Sequence, residues 1–161
     1  TLYDLIEQTE AIYLFFSLTR YTTSLVKESS SDKKYYTIDT GLRNILLNPQ
    51  SEDNGKLLEN VVFLYLRRTL SLQENIYYYK EKKECDVLIC DQLQVTKLVQ
   101  VSWSIHDEVT RKREVEGLLE AAHATACTDL LIVTFEEEGE IIEEGQIINI
   151  IPAWKYMLGA V

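Results

Sequence analysis

The sequence predicts a mixed α/β domain with helices packed on a sheet, and three observations carry that expectation. Apolar side chains at Leu57, Leu58, Val61, Val62, Tyr65 and Leu66 recur at helical spacing from Gly55 to about Thr69. Three strand-like runs follow in succession: Ile76 to Lys80, Cys85 to Cys90 and Val95 to Trp103, with Asp91-Gln92 as a turn. Asp107 can then cap a helix through Val109, Val115, Leu118, Leu119 and Ala122, before the apolar run from Leu130 to Phe135 reads as a buried strand.

The flanking elements read as follows. Leu2, Leu5, Ile6, Ile12, Phe15 and Phe16 suit one amphipathic helix over residues 2–16. Residues 20–27 are rich in strand formers, and Ser29 to Asp32 is a polar turn. Lys34 to Ile38 is a second strand, which Asp39-Thr40-Gly41 ends. Asn48 to Asn54 is a loop, Glu136 to Glu144 an acidic turn, and Ile147 to Ile151 a last strand before Pro152. A helix followed by two short strands suggests the tail of a winged-helix module over residues 1–47, with the main domain at 48–161. A start at Thr1 rather than Met suggests a piece of something longer.

Composition narrows the function classes. The chain has 161 residues, 46% hydrophobic and 26% charged, enough for one domain with a proper core. No apolar run approaches the length of a bilayer span, which argues against a membrane partner. The net charge of −10 argues against a general electrostatic grip on nucleic acid. Bases do cluster locally, at Arg67-Arg68, Lys80 with Lys82-Lys83, and Arg111-Lys112-Arg113, so a basic face is compatible with the acidic total. Cys85, Cys90 and Cys127 lack metal-site spacing and read as reduced core thiols of a cytoplasmic protein. His106 and His123 read as solvated or structural, and Trp103 and Trp154 as core or interface anchors.

The chemistry-bearing stretch is Glu84-Cys85-Asp86-Val-Leu-Ile, followed by Gln100-Val101-Ser102. Strand alternation puts Gln100 and Ser102 on one face and Val99 and Val101 on the other. With Lys34-Tyr-Tyr-Thr-Ile-Asp39-Thr-Gly41, Gly55-Lys-Leu-Leu-Glu59-Asn60 and Thr110-Arg111-Lys-Arg113-Glu114, these pieces cover most of the chain. In order and spacing the set resembles the PD-(D/E)XK nuclease-like superfamily. More narrowly it is similar to the domain of unknown function 4143 that follows a P-loop AAA-type ATPase module in prokaryotic proteins. The resemblance implies a restriction-endonuclease-like mixed sheet flanked by helices. It also implies an ATPase module in cis upstream, where ATP would bind. No Gly-rich phosphate loop occurs in the present chain.

The same resemblance implies a site. Glu59, Asp86 and Gln100 would hold Mg²⁺, a hard ion that takes oxygen ligands. Asp86, Gln100 and Ser102 would occupy the catalytic positions, and Arg111, Arg113 and Lys83 would contact DNA. In a working nuclease the position of Ser102 is a Lys that orients water and stabilises transition-state charge. Ser102 brings no charge, and Gln100 is neutral. Two functions therefore stay open: a degenerate module that binds DNA or a partner protein, and an active Mg²⁺-dependent DNA endonuclease. A displaced base could stand in for the Lys, with Arg111 and Arg113 better placed than Lys97. Alternatively, Arg111 or Arg113 pairs internally with Glu59 or Asp86.

Overall fold

The computed structural model describes residues 1–22, 32–41 and 54–159. It has a six-stranded mixed sheet covered by helices on both faces, beside a smaller two-stranded sheet. In chain order the elements are α1 (Leu2–Ala11), β1 (Phe15–Leu18), β2 (Lys34–Thr37), α2 (Asn54–Thr69), β3 (Glu74–Lys80) and β4 (Glu84–Asp91). There follow β5 (Gln94–Val101), α3 (Glu108–Thr125), β6 (Leu130–Thr134), β7 (Gly139–Glu143), β8 (Gln146–Pro152) and α4 (Ala153–Met157). The large sheet runs β3-β4-β5-β6-β8-β7. Its first three strands are an antiparallel meander, β5, β6 and β8 are parallel, and β7 folds back antiparallel on β8. Among the described residues no helix is long and apolar enough to cross a membrane.

The sheet separates two apolar layers. Val115, Leu118, Leu119, Ala121 and Ala122 of α3 pack on Leu88, Leu98, Leu130, Ile132 and Ile148. On the opposite face, Leu58, Val62 and Leu66 of α2 pack on Val87, Val99, Val101 and Val133. The alternation expected along β5 is thus realised, with Val99 and Val101 on the α2 side. Asp107 caps α3 by accepting the Thr110 N–H at 2.8 Å. All three cysteines are free and buried.

Several boundaries differ from the sequence expectation. The first helix stops at Ala11 rather than residue 16, because Tyr13 takes a positive φ of 58° and the chain turns into β1. The strand expected over 20–27 and the turn at 29–32 lie largely outside the described residues. Within the described part, Arg20 forms an isolated bridge to Tyr78 of β3. The loop expected at 48–54 is likewise outside, apart from Asn54, which begins α2. The acidic stretch contains β7, whose side chains are mostly exposed. Its tight turn into β8 uses positive φ at Glu144 and Gly145, the twist that a two-residue hairpin requires. A short helix, α4, follows Pro152 where none was expected. A winged helix at the start rests on the resemblance alone; the described residues give α1 and the antiparallel pair β1–β2.

The small sheet is fastened to the large one mostly by aromatic packing. Tyr36 stacks on Phe63 of α2 at 4.0 Å between ring centroids, and Leu18, Phe63, Leu64 and Tyr78 complete a third apolar cluster. Asn60, buried beside Phe63, bonds the edge of β2 as another strand would: its side chain accepts the Thr37 N–H and donates to the Thr37 carbonyl, each at 2.9 Å. The Asn60 amide therefore helps to fix the register of β2 against α2.

One close approach fixes α3 on the sheet. A Cβ at Gly117 would stand 2.3 Å from the carbonyl oxygen of Glu84, a backbone atom at the start of β4. Gly117→Ala should therefore lower unfolding free energy by about 1–3 kcal/mol, as overpacking at a rigid contact does, measured by urea titration.

Candidate functional site

β2, α2 and β4 bring their charged residues to one point. Alternation along β2 turns Lys34 and Tyr36 to the same side, while Tyr35 is exposed on the other. The Lys34 ammonium stands 3.0 Å from Glu59 Oε1, 2.8 Å from Asp86 Oδ1 and 2.8 Å from Glu84 Oε1. An ammonium has three donors, and all three are taken by carboxylates. Further donors share the load on each acid: the Tyr36 hydroxyl donates to Glu59 at 2.7 Å, the Val101 N–H to Asp86 Oδ2 at 3.0 Å, and Lys80 pairs with Glu84 at 3.0 Å.

Gln100 lies beside this cluster but is turned away from it. Its Oε1 accepts the Asp86 N–H at 3.1 Å, and its amide nitrogen donates to Glu114 of α3. Glu114 is buried and pairs in turn with Arg113. Ser102 is buried at the end of β5, where its hydroxyl donates to the Ser104 carbonyl at 3.0 Å. Among the described residues every buried side-chain nitrogen and oxygen has a partner. The network is closed without help from a ligand.

These residues line one cleft of about 970 Å³. Glu59, Glu84, Asp86, Gln100, Ser102 and Glu114 form its inner part, with Lys56, Lys80, Lys82, Lys83, Arg113 and Trp103 around them. The expected set Glu59, Asp86, Gln100, Ser102, Arg113 and Lys83 is thus gathered at one place. Arg111 is not: it is exposed and outside the cleft. The internal partner of Glu59 and Asp86 is neither Arg111 nor Arg113, because Arg113 is committed to its neighbour Glu114. Lys83 pairs with Glu116 at 2.6 Å, and Lys97 points to Asp129.

The donor set in this arrangement does not fit Mg²⁺. Among the described residues no group of three or more His, Cys, Asp or Glu side chains is disposed to hold a metal ion. The position between Glu59 and Asp86 belongs to an ammonium, and the Gln100 oxygen is already used by a backbone N–H.

Electrostatics follow from two buried acids sharing one cation. Burial, and then the charge of Asp86, push the Glu59 carboxyl above its ordinary range, with Lys34 and Tyr36 offsetting only part of this. Burial disfavours the Lys34 ammonium, but Asp86, Tyr36 and Glu59 outweigh it and hold its pKa well above that of a free lysine. Burial, and then Glu59, raise Tyr36 as well. Glu84 is drawn the other way: burial opposes its charge, but Lys34 and Lys80 lower its pKa overall.

Sequence reasoning missed Lys34, Glu84, Asn60 and Glu114 as members of this network. The parity of Lys34 and Tyr36 was readable, but their acid partners lie 23 to 52 residues away in sequence, and no local pattern announces such a contact.

The chain is 32% identical over 165 residues to an uncharacterised protein of the archaeon Methanocaldococcus jannaschii. That match covers 98% of this chain and 36% of the relative, so the chain spans about a third of the length of the relative it matches. No family model matches the chain, and no solved structure does.

Two outcomes test the network. Lys34 supplies its full stabilisation below the ordinary lysine pKa of about 10.4. Above that pH the unfolded chain loses the proton while the folded protein keeps it, so stability falls until the folded ammonium itself titrates. Tyr36 acts in the same direction. Thermal unfolding midpoints should therefore drop above about pH 10, and Lys34→Met should flatten that limb while costing about 3 kcal/mol at neutral pH. Gln100→Glu would set a second carboxylate against buried Glu114 and remove a donor; it should destabilise by about 1–3 kcal/mol in denaturant titration.

Proposed function

We propose that this chain is a nuclease-like module that has lost catalysis and serves as a binding element, for DNA or a partner protein, beside an ATPase domain in the same polypeptide. The observation that carries this reading is the internal commitment of the polar pair on β5. Gln100 spends both ends of its amide on Asp86 and Glu114, and Ser102 donates to Ser104. A site for phosphate chemistry needs charge aimed at the place where charge develops. Gln100 and Ser102 supply none, and the cation nearest the acids, Lys34, has its three protons engaged.

The cleft still offers a phosphate backbone a place to lie, along Lys56, Lys80, Lys82 and Lys83. The net charge of −10 restricts such a contact to this rim, or favours a protein partner instead. The ATPase domain is an expectation of the resemblance, and the match to about a third of a longer relative supports a larger polypeptide. The buried free thiols support a cytoplasmic location. A second reading, an active Mg²⁺-dependent endonuclease, is favoured by one observation: Glu59 and Asp86 converge on a single cation position.

Incubation of the protein with double-stranded, single-stranded and branched DNA in Mg²⁺ or Mn²⁺ separates the two readings. We expect no cleavage; cleavage that disappears in Asp86→Ala would establish the second. If DNA is the partner, Lys83→Ala should weaken binding and reduce its salt dependence by roughly one ion while the fold stays intact. Unchanged DNA affinity would point to a protein partner.

A further inference from the structure

The geometry points to a nucleobase platform: Trp103, stacked on Phe135 where the cleft meets an apolar groove, takes an unpaired base of single-stranded DNA whose phosphates follow the lysine rim. The inference deepens the reading above and rests on its DNA arm. Two parallel strands of the sheet build the platform. Val101 of β5 pairs with Val133 of β6, and the pairing carries on past both strand ends. The Ser102 N–H donates to the Val133 carbonyl at 3.0 Å, and the Phe135 N–H to the Trp103 carbonyl at 3.3 Å. Trp103 and Phe135 therefore stand two residues beyond a paired position, and their rings stack at 4.0 Å between centroids with 14° between planes. The place is outside the carboxyl ends of parallel strands, where open α/β sheets bind ligands. Glu137 fixes the loop behind it by accepting the Ser104 hydroxyl at 2.6 Å and the Ile105 N–H at 2.8 Å. A ring held this way loses little freedom when a ligand settles on it.

The pair is ordered yet open to solvent: Trp103 is 38% exposed and Phe135 41%. Trp103 also lines two spaces at once. One is the cleft, with Lys56, Lys80, Lys82 and Lys83; the other is a groove of about 470 Å³ lined by Leu57, Val61 and Trp154 among others. The lysines call for an anion and the indole for a flat apolar group. A strand of unpaired nucleotides carries both along its length. Bases inside a duplex are stacked on one another and offer no face to a side chain. Phosphate contacts alone are weak here, because Lys80 and Lys83 also answer Glu84 and Glu116, and the net charge of −10 opposes a polyanion. Stacking adds affinity that this charge balance does not oppose, and so favours the single strand over the duplex.

Titration with three probes tests the proposal: oligothymidylate, the same oligomer paired with oligoadenylate, and an abasic oligomer with the same number of phosphates. Oligothymidylate should quench tryptophan fluorescence, and should still do so in Trp154→Phe, where Trp103 is the one tryptophan left. It should bind the wild type roughly 5- to 140-fold more tightly than the abasic oligomer, the worth of one stacked base. Trp103→Leu should lose that factor on oligothymidylate, keep its affinity for the abasic oligomer and retain its circular dichroism. Equal wild-type affinity for oligothymidylate and the abasic oligomer would overturn the proposal, and this comparison holds even if Trp103→Leu does not fold. Duplex bound as tightly as the single strand would also overturn it, while leaving the module a DNA-binding one. Binding of none of the three probes would remove the DNA arm of the reading together with the platform, and leave a protein partner.

Discussion

Three carboxylates gathered in a half-closed space demand a cation, and the way this protein meets that demand organises the rest of it. Moving an acid out of water costs several kcal/mol, and the cost is recovered only by close, well-bonded opposite charge. Lys34 is that charge, at 3.0 Å or less from all three acids. To deliver it, β2 must lie along α2, and Asn60 and Phe63 fix it there through the strand edge and the ring of Tyr36. The neighbouring pair Glu59-Asn60 therefore does two jobs at one helical turn. One side chain takes the lysine, and the other holds the strand that carries it.

The neutrality of Gln100 follows from the same requirement. Its amide sits between an N–H that needs an acceptor and a buried carboxylate, Glu114, that needs a donor. Only an amide answers both. A carboxylate there would leave Glu114 facing a like charge, in a region where burial, and then the charge of Asp86, already raise the pKa of Glu59. Gln100 is thus the residue that satisfies both needs of the buried network around it.

Much of the fold was legible because its elements have strong local signals. The apolar spacing of α2, the three strands of the meander and the Asp107 cap of α3 all appear as expected. The failures have physical causes. β7 turns only Ile141 part-way into the core and so has little alternation to read, and its acidic residues look like a turn. The apolar residues Phe15 and Phe16 continue the pattern of α1 but belong to β1, since a single positive φ at Tyr13 ends the helix. At the site, parity and motif order were enough to gather Glu59, Asp86, Gln100 and Ser102 in one cleft. They were not enough to find Lys34, whose role depends on how a separate small sheet docks.

That docking also determines how the ammonium reaches the acids. Lys34 is tethered, so its effective concentration at the acids is set by the chain and not by the medium. Each contact that seats β2 on α2 adds to that advantage. The seating of Lys34 among the acids is accordingly a property of the Tyr36–Phe63 stack and the Asn60 bonds as much as of the carboxylates.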